Sequence, residues 1–119
     1  MAKQDLLKYV PDMVYKYRWL DQALVEMEQE VGYVLYEFGI NSARKAEATI
    51  HERVSQLCVF PHLGMAYEGL EYHGNKVRIF HIKQVSLIYC IEGDLITLIA
   101  LWNNRRDNRE LKAIIQSRQ

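Results

Sequence analysis

The spacing of the apolar residues changes once along this chain, and that change limits the folds open to it. Between residues 22 and 57 apolar side chains recur every three or four positions, which is the period of an amphipathic helix. From residue 77 to residue 102 they instead form short, dense stretches separated by turn residues, which is typical of strands. A helical segment followed by consecutive strands predicts an α+β fold with a mainly antiparallel sheet.

The helical part is predicted to be a hairpin of two helices. The first helix spans residues 22–38, with Asp21 as its N-cap and Gly39 as its C-terminal stop. The second helix begins two or three residues later and ends in the turn Phe60–Gly64, which contains a proline and a glycine. Such a short linker favours an antiparallel pair of helices in contact with each other.

Four strands are predicted around this hairpin. Met13–Trp19 alternates apolar and polar residues, and the other three strands are Val77–Ile82, Val85–Ile91 and Leu95–Trp102. The breaks between the last three are short enough for tight hairpin turns. Because Leu95–Trp102 is apolar at nearly every position, we expect that strand to be central or covered on both faces.

The chain ends in a segment that favours a further helix. Residues 107–116 follow Asp107, a suitable N-cap, and carry apolar residues on one edge. The predicted architecture is therefore a two-layer α+β sandwich. Its helical hairpin packs on a four-stranded, mainly antiparallel sheet in the order β-α-α-β-β-β, followed by a short C-terminal helix.

Length and composition exclude several classes of protein. The chain has 119 residues, of which 50% are hydrophobic, and 15 acidic side chains balance 15 basic ones. This length suits one domain over residues 1–119, and a neutral charge disfavours an autonomous nucleic-acid binder. No apolar run approaches the roughly 20 residues of a transmembrane helix, and no apolar signal core stands at the N-terminus. We therefore expect a cytoplasmic protein without membrane association.

The two cysteines and the other candidate ligands indicate no cofactor. Cys58 and Cys90 lie among apolar neighbours, where a buried and reduced thiol is the usual state. Two cysteines form neither a disulfide framework nor a zinc site by themselves. We expect no metal and no cofactor.

The charges are unevenly distributed. Residues 21–38 carry five acidic side chains and no Lys or Arg, whereas residues 103–119 carry five basic and two acidic side chains. A strongly acidic helix repels a phosphate backbone. It is therefore either a solvated face or a surface for a protein partner.

Four features together resemble one known family. They are the helical hairpin after a short strand, the turn Phe60–Gly64, the run Lys76–Asp94, and the basic ending Asn104–Asp107 after an apolar strand. With these four features in this order, the chain resembles the RelE/ParE superfamily of toxins. These toxins belong to type II toxin–antitoxin modules of the plasmid-stabilisation type. The resemblance covers roughly residues 12–110. The resemblance implies a toxin neutralised by a cognate antitoxin, which lays a segment over the sheet and the hairpin.

The resemblance also implies which residues would act if the chain cleaved RNA. RelE-like members cut mRNA in the ribosomal A site with Lys and Arg on the sheet and a Tyr or His near the C-terminus. By position, Lys76, Arg78 and Arg105 match the basic residues. Two matches fail, because Ser86 stands where an Arg is expected and neither Tyr nor His follows Asp107.

Two histidines are candidates for the missing acid or base. An imidazole has the right pKa for proton transfer near neutral pH. However, the odd spacing of His81 from Arg78 puts the two on opposite strand faces. We therefore interpret His81 as an ordinary strand residue and His73 as a turn residue.

Two functional hypotheses follow. The favoured one is a ParE-like toxin that inhibits DNA gyrase through protein contacts, with Glu26, Glu30, Arg105 and Arg106 binding the target or the antitoxin. The alternative is a RelE-like, ribosome-dependent and metal-independent mRNA endoribonuclease that uses Lys76, Arg78 and Arg105. A family member that keeps the fold without toxicity is a third reading.

Overall fold

The chain forms one sheet with helices on both of its faces. The computed structural model describes residues 14–119. The elements are β1 Lys16–Trp19, α1 Asp21–Phe38, α2 Ile40–Val59, β2 Met65–Tyr72, β3 Asn75–Ile82, β4 Val85–Glu92, β5 Leu95–Asn103 and α3 Asn108–Ser117. The strand order is β1-β5-β4-β3-β2, with β1 parallel to β5 and the other pairs antiparallel. The predicted α+β class is confirmed.

The sheet has five strands in the described part of the chain, so the predicted count of four was too low. The missed strand is β2, which forms the outer edge beside β3. Its pairing with β3 is interrupted between Ala66 and Glu71, and Gly69 lies there with φ +79°. A bulged edge strand lacks the regular alternation that marks a strand in a sequence.

The first strand is shorter than predicted. It covers Lys16–Trp19, while Met13 lies outside the described residues. It pairs with only the first half of β5, from Leu95 to Leu98. The second half of β5 therefore has no neighbouring strand on that side in residues 14–119.

The helical hairpin is confirmed, but its linker is one residue and not the predicted two or three. Gly39 alone separates α1 from α2, and its φ of 92° is a conformation that glycine adopts without steric cost. The prediction that Asp21 is the N-cap was wrong. Leu20 occupies the cap position and Asp21 is the first helical residue, where its carboxylate still suits the positive end of the helix dipole. No helix in the described residues combines the length and apolar character of a membrane span.

Strand β5 is covered on both faces, as predicted. Hydrophobic residues toward the hairpin pack in one cluster, which includes Met27, Ile50, Val54, Leu57, Leu87, Tyr89, Leu98 and Leu101. Those on the other face pack with α3 in a second cluster, which includes Val77, Ile88, Ile99, Trp102, Leu111 and Ile115. Helix α3, capped by Asp107 as predicted, thus adds a partial third layer to the expected two.

Side chains of the sheet form hydrogen bonds to the turn that follows α2. Tyr89 donates its hydroxyl hydrogen to the Pro61 carbonyl oxygen at 2.6 Å and accepts the Gly64 N–H at 2.9 Å. Burial raises the pKa of the Tyr89 hydroxyl, which keeps it protonated as a donor. Arg78 adds a bond from Nη1 to the Gly64 carbonyl oxygen at 2.6 Å. These contacts fix the start of β2 relative to the sheet.

A methyl group at Gly64 would break this arrangement. A Cβ there would lie 2.6 Å from the Tyr89 hydroxyl oxygen and 3.0 Å from the Ile79 carbonyl oxygen. We expect Gly64→Ala to lower the free energy of unfolding by about 2–3 kcal/mol in urea denaturation. The matched control is Gly32→Ala in α1, where a Cβ meets nothing within 4 Å and should stabilise by about 0.5–1 kcal/mol. Equal effects of the two changes would contradict this account.

Candidate functional site

The four residues predicted to bind a target or antitoxin line a single cleft. This polar cleft, of about 370 Å³, lies between α1 and the end of β5. Glu26 and Glu30 lie on the α1 wall, and Arg105 and Arg106 lie on the opposite wall. Residues that are far apart in sequence therefore line one cleft, which contains two acidic and two basic side chains.

Glu26 is already engaged within the chain. Its two carboxylate oxygens accept hydrogen bonds from Arg118 Nη1 and Nη2 at 2.8 and 3.0 Å, and Oε1 also accepts the Leu101 N–H at 3.2 Å. Arg118 Nη1 donates in addition to the Ile99 carbonyl oxygen at 2.8 Å. The two side chains are only 18% and 10% exposed. This bridge was not predicted, since nothing local in the sequence links Glu26 to Arg118.

The two arginines of the polar cleft, Arg105 and Arg106, differ in the contacts that their side chains make. Arg106 lies over the Trp102 ring, 4.3 Å from its centroid, and bonds Glu110 at 2.9 Å. The side chains of Arg105 and Glu30 form no ion pair within residues 14–119. Among residues 14–119, Arg105 is therefore a cation and Glu30 a carboxylate of this cleft without an ion-pair partner.

An apolar cleft continues from the polar one. It has a volume of about 270 Å³ and lies between the hairpin and the β3–β4 turn. Both clefts share Glu30, Gln84 and Val85. Its apolar lining residues are Val34, Ala46, Ile50, Ile82 and Val85, and its rim carries Lys45 and Lys83. Together the two clefts form a channel with an apolar half and a charged half.

The three basic residues predicted to be catalytic are not brought together. Val85 pairs with Ile82 on one side and with Asn103 on the other, so the end of β5 lies level with the end of β3. Arg105 follows that end. Arg78 lies four residues before Ile82, which is about 14 Å along the strand, and Lys76 lies six residues before it, which is about 20 Å. Arg78 is also engaged by the Gly64 carbonyl oxygen.

His81 lies in a hydrogen-bonded chain on the other face from Arg78. The Asn104 Nδ2 donates to the Lys83 carbonyl oxygen, which leaves Oδ1 to accept the Ser86 hydroxyl hydrogen at 2.7 Å. His81 Nδ1, 2.6 Å from Ser86 Oγ, must then be the donor in that contact. Asn104 thereby ties the β3–β4 turn to the end of β5, which gives these residues a structural role.

The sequence of this chain matches that of one known protein family. The sequence pattern of the family described as the ParE toxin of the type II toxin-antitoxin system, parDE, matches residues 17–108. The chain belongs to the ParE toxin family. This match covers the sheet, the helical hairpin and both clefts of this ParE-family chain. No curated protein matches it.

A solved structure supports the fold. The ParE-family chain is similar to one chain of the structure titled "Chromosomal ParDE TA system from P. aeruginosa", with a TM-score of 0.62 and 19% sequence identity. The similarity covers 76% of this chain and 97% of the other. At this level of identity the likeness concerns the fold.

Neither thiol of this ParE-family chain is poised to react. Cys58 and Cys90 are buried and free, as predicted. Burial raises the pKa of the Cys58 thiol. Burial, with the nearby Glu92 carboxylate, raises the pKa of Cys90 to about 12. Within residues 14–119, no group of three or more His, Cys, Asp or Glu side chains could hold a metal ion.

The reactivity of the two thiols tests whether Cys58 and Cys90 are buried in solution. With its pKa near 12, Cys90 is about one part in ten thousand thiolate at pH 8. We expect neither cysteine to react with iodoacetamide at pH 8 in the native chain, and both to react in denaturant. Because the unfolded thiol ionises near its ordinary pKa of 9.0, stability due to Cys90 should decline as pH rises from 9.0 towards 12. Rapid native alkylation of Cys90 would contradict its burial.

The Glu26–Arg118 bridge can be tested by denaturation. Removing one partner leaves a largely buried charge without its counter-ion, so we expect Arg118→Ala to cost about 3 kcal/mol of unfolding free energy. The matched control is Arg109→Ala in α3, whose ion pair with Asp107 is at the surface and should contribute nothing measurable. If Arg118→Ala and Arg109→Ala unfolded at the same denaturant concentration, the bridge would not be buried in solution.

Proposed function

We propose that this chain is the growth-inhibiting toxin of a type II toxin–antitoxin module and that it inhibits DNA gyrase through protein contacts in the cytoplasm. Its membership of the ParE family supports the first statement. The observation that carries the second is the separation of Lys76 and Arg78 from Arg105. Metal-independent RNA cleavage needs a base, a cation and an acid around one phosphate. The backbone positions of Arg78 and Lys76 are offset by about 14 and 20 Å along the sheet from the end of β3, which disfavours such an arrangement with Arg105.

The distal end of the hairpin is the proposed contact surface for the target. Beyond Met27, helix α1 has no fully buried residue, and its last turn is exposed. Its tip exposes large apolar side chains, with Tyr36 87%, Phe38 65% and Ile40 52% exposed. Exposed apolar groups clustered in this way are typical of a protein-binding surface. The carboxylates of α1 make a protein a better partner than a nucleic acid.

The channel formed by the two clefts is the proposed antitoxin site. Its apolar half under the hairpin suits the apolar side of an amphipathic segment. Its rim cations, Lys45 and Lys83, suit acidic residues on that segment. Such a segment would order on contact, as a disordered antitoxin tail does. Glu30 and Arg105 in the polar half would add charge-assisted contacts and fix the register of the segment.

The target can be decided with purified components. We expect micromolar protein to block DNA supercoiling by gyrase. We expect Tyr36→Ser with Phe38→Ser to weaken the block at least tenfold, because the apolar contact is lost. The control pair, Phe60→Ser with Met65→Ser, removes exposed apolar groups elsewhere and should leave inhibition unchanged. Unaffected supercoiling, by protein shown to be folded, would refute the gyrase proposal.

The endoribonuclease alternative has its own test. In cell-free translation of a pre-made mRNA, where gyrase is irrelevant, we expect intact message by primer extension. In cells, Lys76→Ala with Arg105→Ala should stay as toxic as the parent chain, since both side chains are exposed and neither is needed for folding. Ribosome-dependent cuts, lost in this double variant, would establish the RelE-like reading instead.

A further inference from the structure

The outward face of α1 carries a stripe without charged residues. Along it, uncharged residues recur at alternating spacings of three and four positions, which is the spacing of the contact seam in a coiled coil. With 3.6 residues per turn, they fall within a sector of about 80° around the helix axis. This uncharged stripe consists of Gln22, Val25, Gln29, Gly32 and Tyr36.

The uncharged stripe is open to solvent in the described part of the chain. All five of its residues are exposed. Val25 near its start is 49% exposed and Tyr36 at its end is 87% exposed, although both carry large apolar groups. The buried residues of α1, Ala23 and Met27, lie on the opposite side of the helix. Exposed apolar groups at contact-seam spacing are typical of a surface that binds another protein.

Gly32 allows a partner to approach the middle of the stripe closely. A Cβ at this position would meet nothing within 4 Å, so the space above the glycine is open. A helix packed here could bring its axis to the short end of the usual range of about 8–10 Å. Glycine destabilises the middle of a helix relative to alanine. The stability of the free chain therefore gives no reason for this glycine, whereas a close contact does.

Carboxylates border the stripe on both sides. By the same helical geometry, Asp21 and Glu28 lie along one side and Glu30 and Glu37 along the other. None of these four forms an ion pair within residues 14–119, and α1 contains no Lys or Arg. A partner helix with Lys or Arg on each side of its own contact seam would find a carboxylate on both sides of the stripe.

A cleft opens beside the first turn of the stripe. It has a volume of about 300 Å³ and is lined by Asp21, Gln22, Val25, Glu26 and Arg118. Because Arg118 already neutralises Glu26, the remaining charge of this cleft is negative and belongs to Asp21. The cleft therefore suits a long basic side chain from a partner.

We propose that the uncharged stripe binds a helix of the inhibited target, and that this helix carries basic residues on both sides of its contact seam. The proposal rests on the toxin function proposed above. It extends the contact at the hairpin tip along α1, since Tyr36 belongs to both surfaces. A second copy of the chain does not fit, because two facing α1 helices would bring like charges together. A nucleic acid does not fit, because its phosphates are also negative.

The change Gly32→Gln tests the close approach. It fills open space and replaces a glycine within a helix, so we expect the free chain to be at least as stable in urea as the parent chain. We nevertheless expect block of gyrase supercoiling to need at least tenfold more protein, because the added side chain keeps the two helices apart. The matched control is Ala48→Gln at an exposed position of α2, which should inhibit as the parent chain does.

The outcomes of this comparison separate the stripe from the target. Equal inhibition by Gly32→Gln and by the parent chain would overturn the stripe while keeping the gyrase proposal. Failure of the parent chain to inhibit gyrase would refute both. Weaker binding of Gly32→Gln to the protein encoded beside the toxin gene, with inhibition of gyrase unchanged, would assign the stripe to the antitoxin instead.

Charge reversal tests the basic partner. Glu28→Lys with Glu37→Lys places a cation on each side of the stripe. We expect at least tenfold weaker inhibition that improves as salt is added, whereas inhibition by the parent chain should weaken with salt. The control, Glu47→Lys with Glu52→Lys, changes two exposed residues of α2 and the net charge equally, and should behave as the parent chain does. An equal loss in both double variants would overturn local pairing at the stripe.

Discussion

Strand β5 is buried on both faces, and this burial explains where the three helices lie. Leu98 and Leu101 require cover from the helical hairpin, and Ile99 and Trp102 require cover from α3. A strand of this kind cannot lie at the surface of a two-layer protein, because one apolar face would meet water. The C-terminal helix is therefore part of the core, and Asp107 starts it close behind the strand that it covers.

The candidate site arises from the same packing. Helix α1 packs against β5 while β1 stops at Trp19, so within residues 14–119 the hairpin covers a strand edge that lacks a neighbouring strand on that side. Glu26 and Arg118 satisfy the backbone there and at the same time attach α3 to α1. The same bridge thus links the polar cleft to the position of the C-terminal helix.

Much of the fold could be predicted because its signals are local. Helical and strand periods located the hairpin and three strands, since each period reflects a buried face. The edge strand β2 was missed, because Gly69 and a bulge erase its alternation. Of the candidate site, charge and family resemblance pointed to four residues that line the polar cleft, but Arg118 was missed. It lies 92 positions from Glu26, and no sequence spacing connects them.

The class of fold, the family and the charge of each element could be predicted from the sequence, because these follow from composition, period and short motifs. Which charges lie close together depends on the tertiary structure. It placed Arg105 opposite Glu30 and far from Arg78, because strand register and the bulge at Ile99 set which residues share an end of the sheet. Register depends on contacts between distant segments, and a linear pattern carries no record of those contacts.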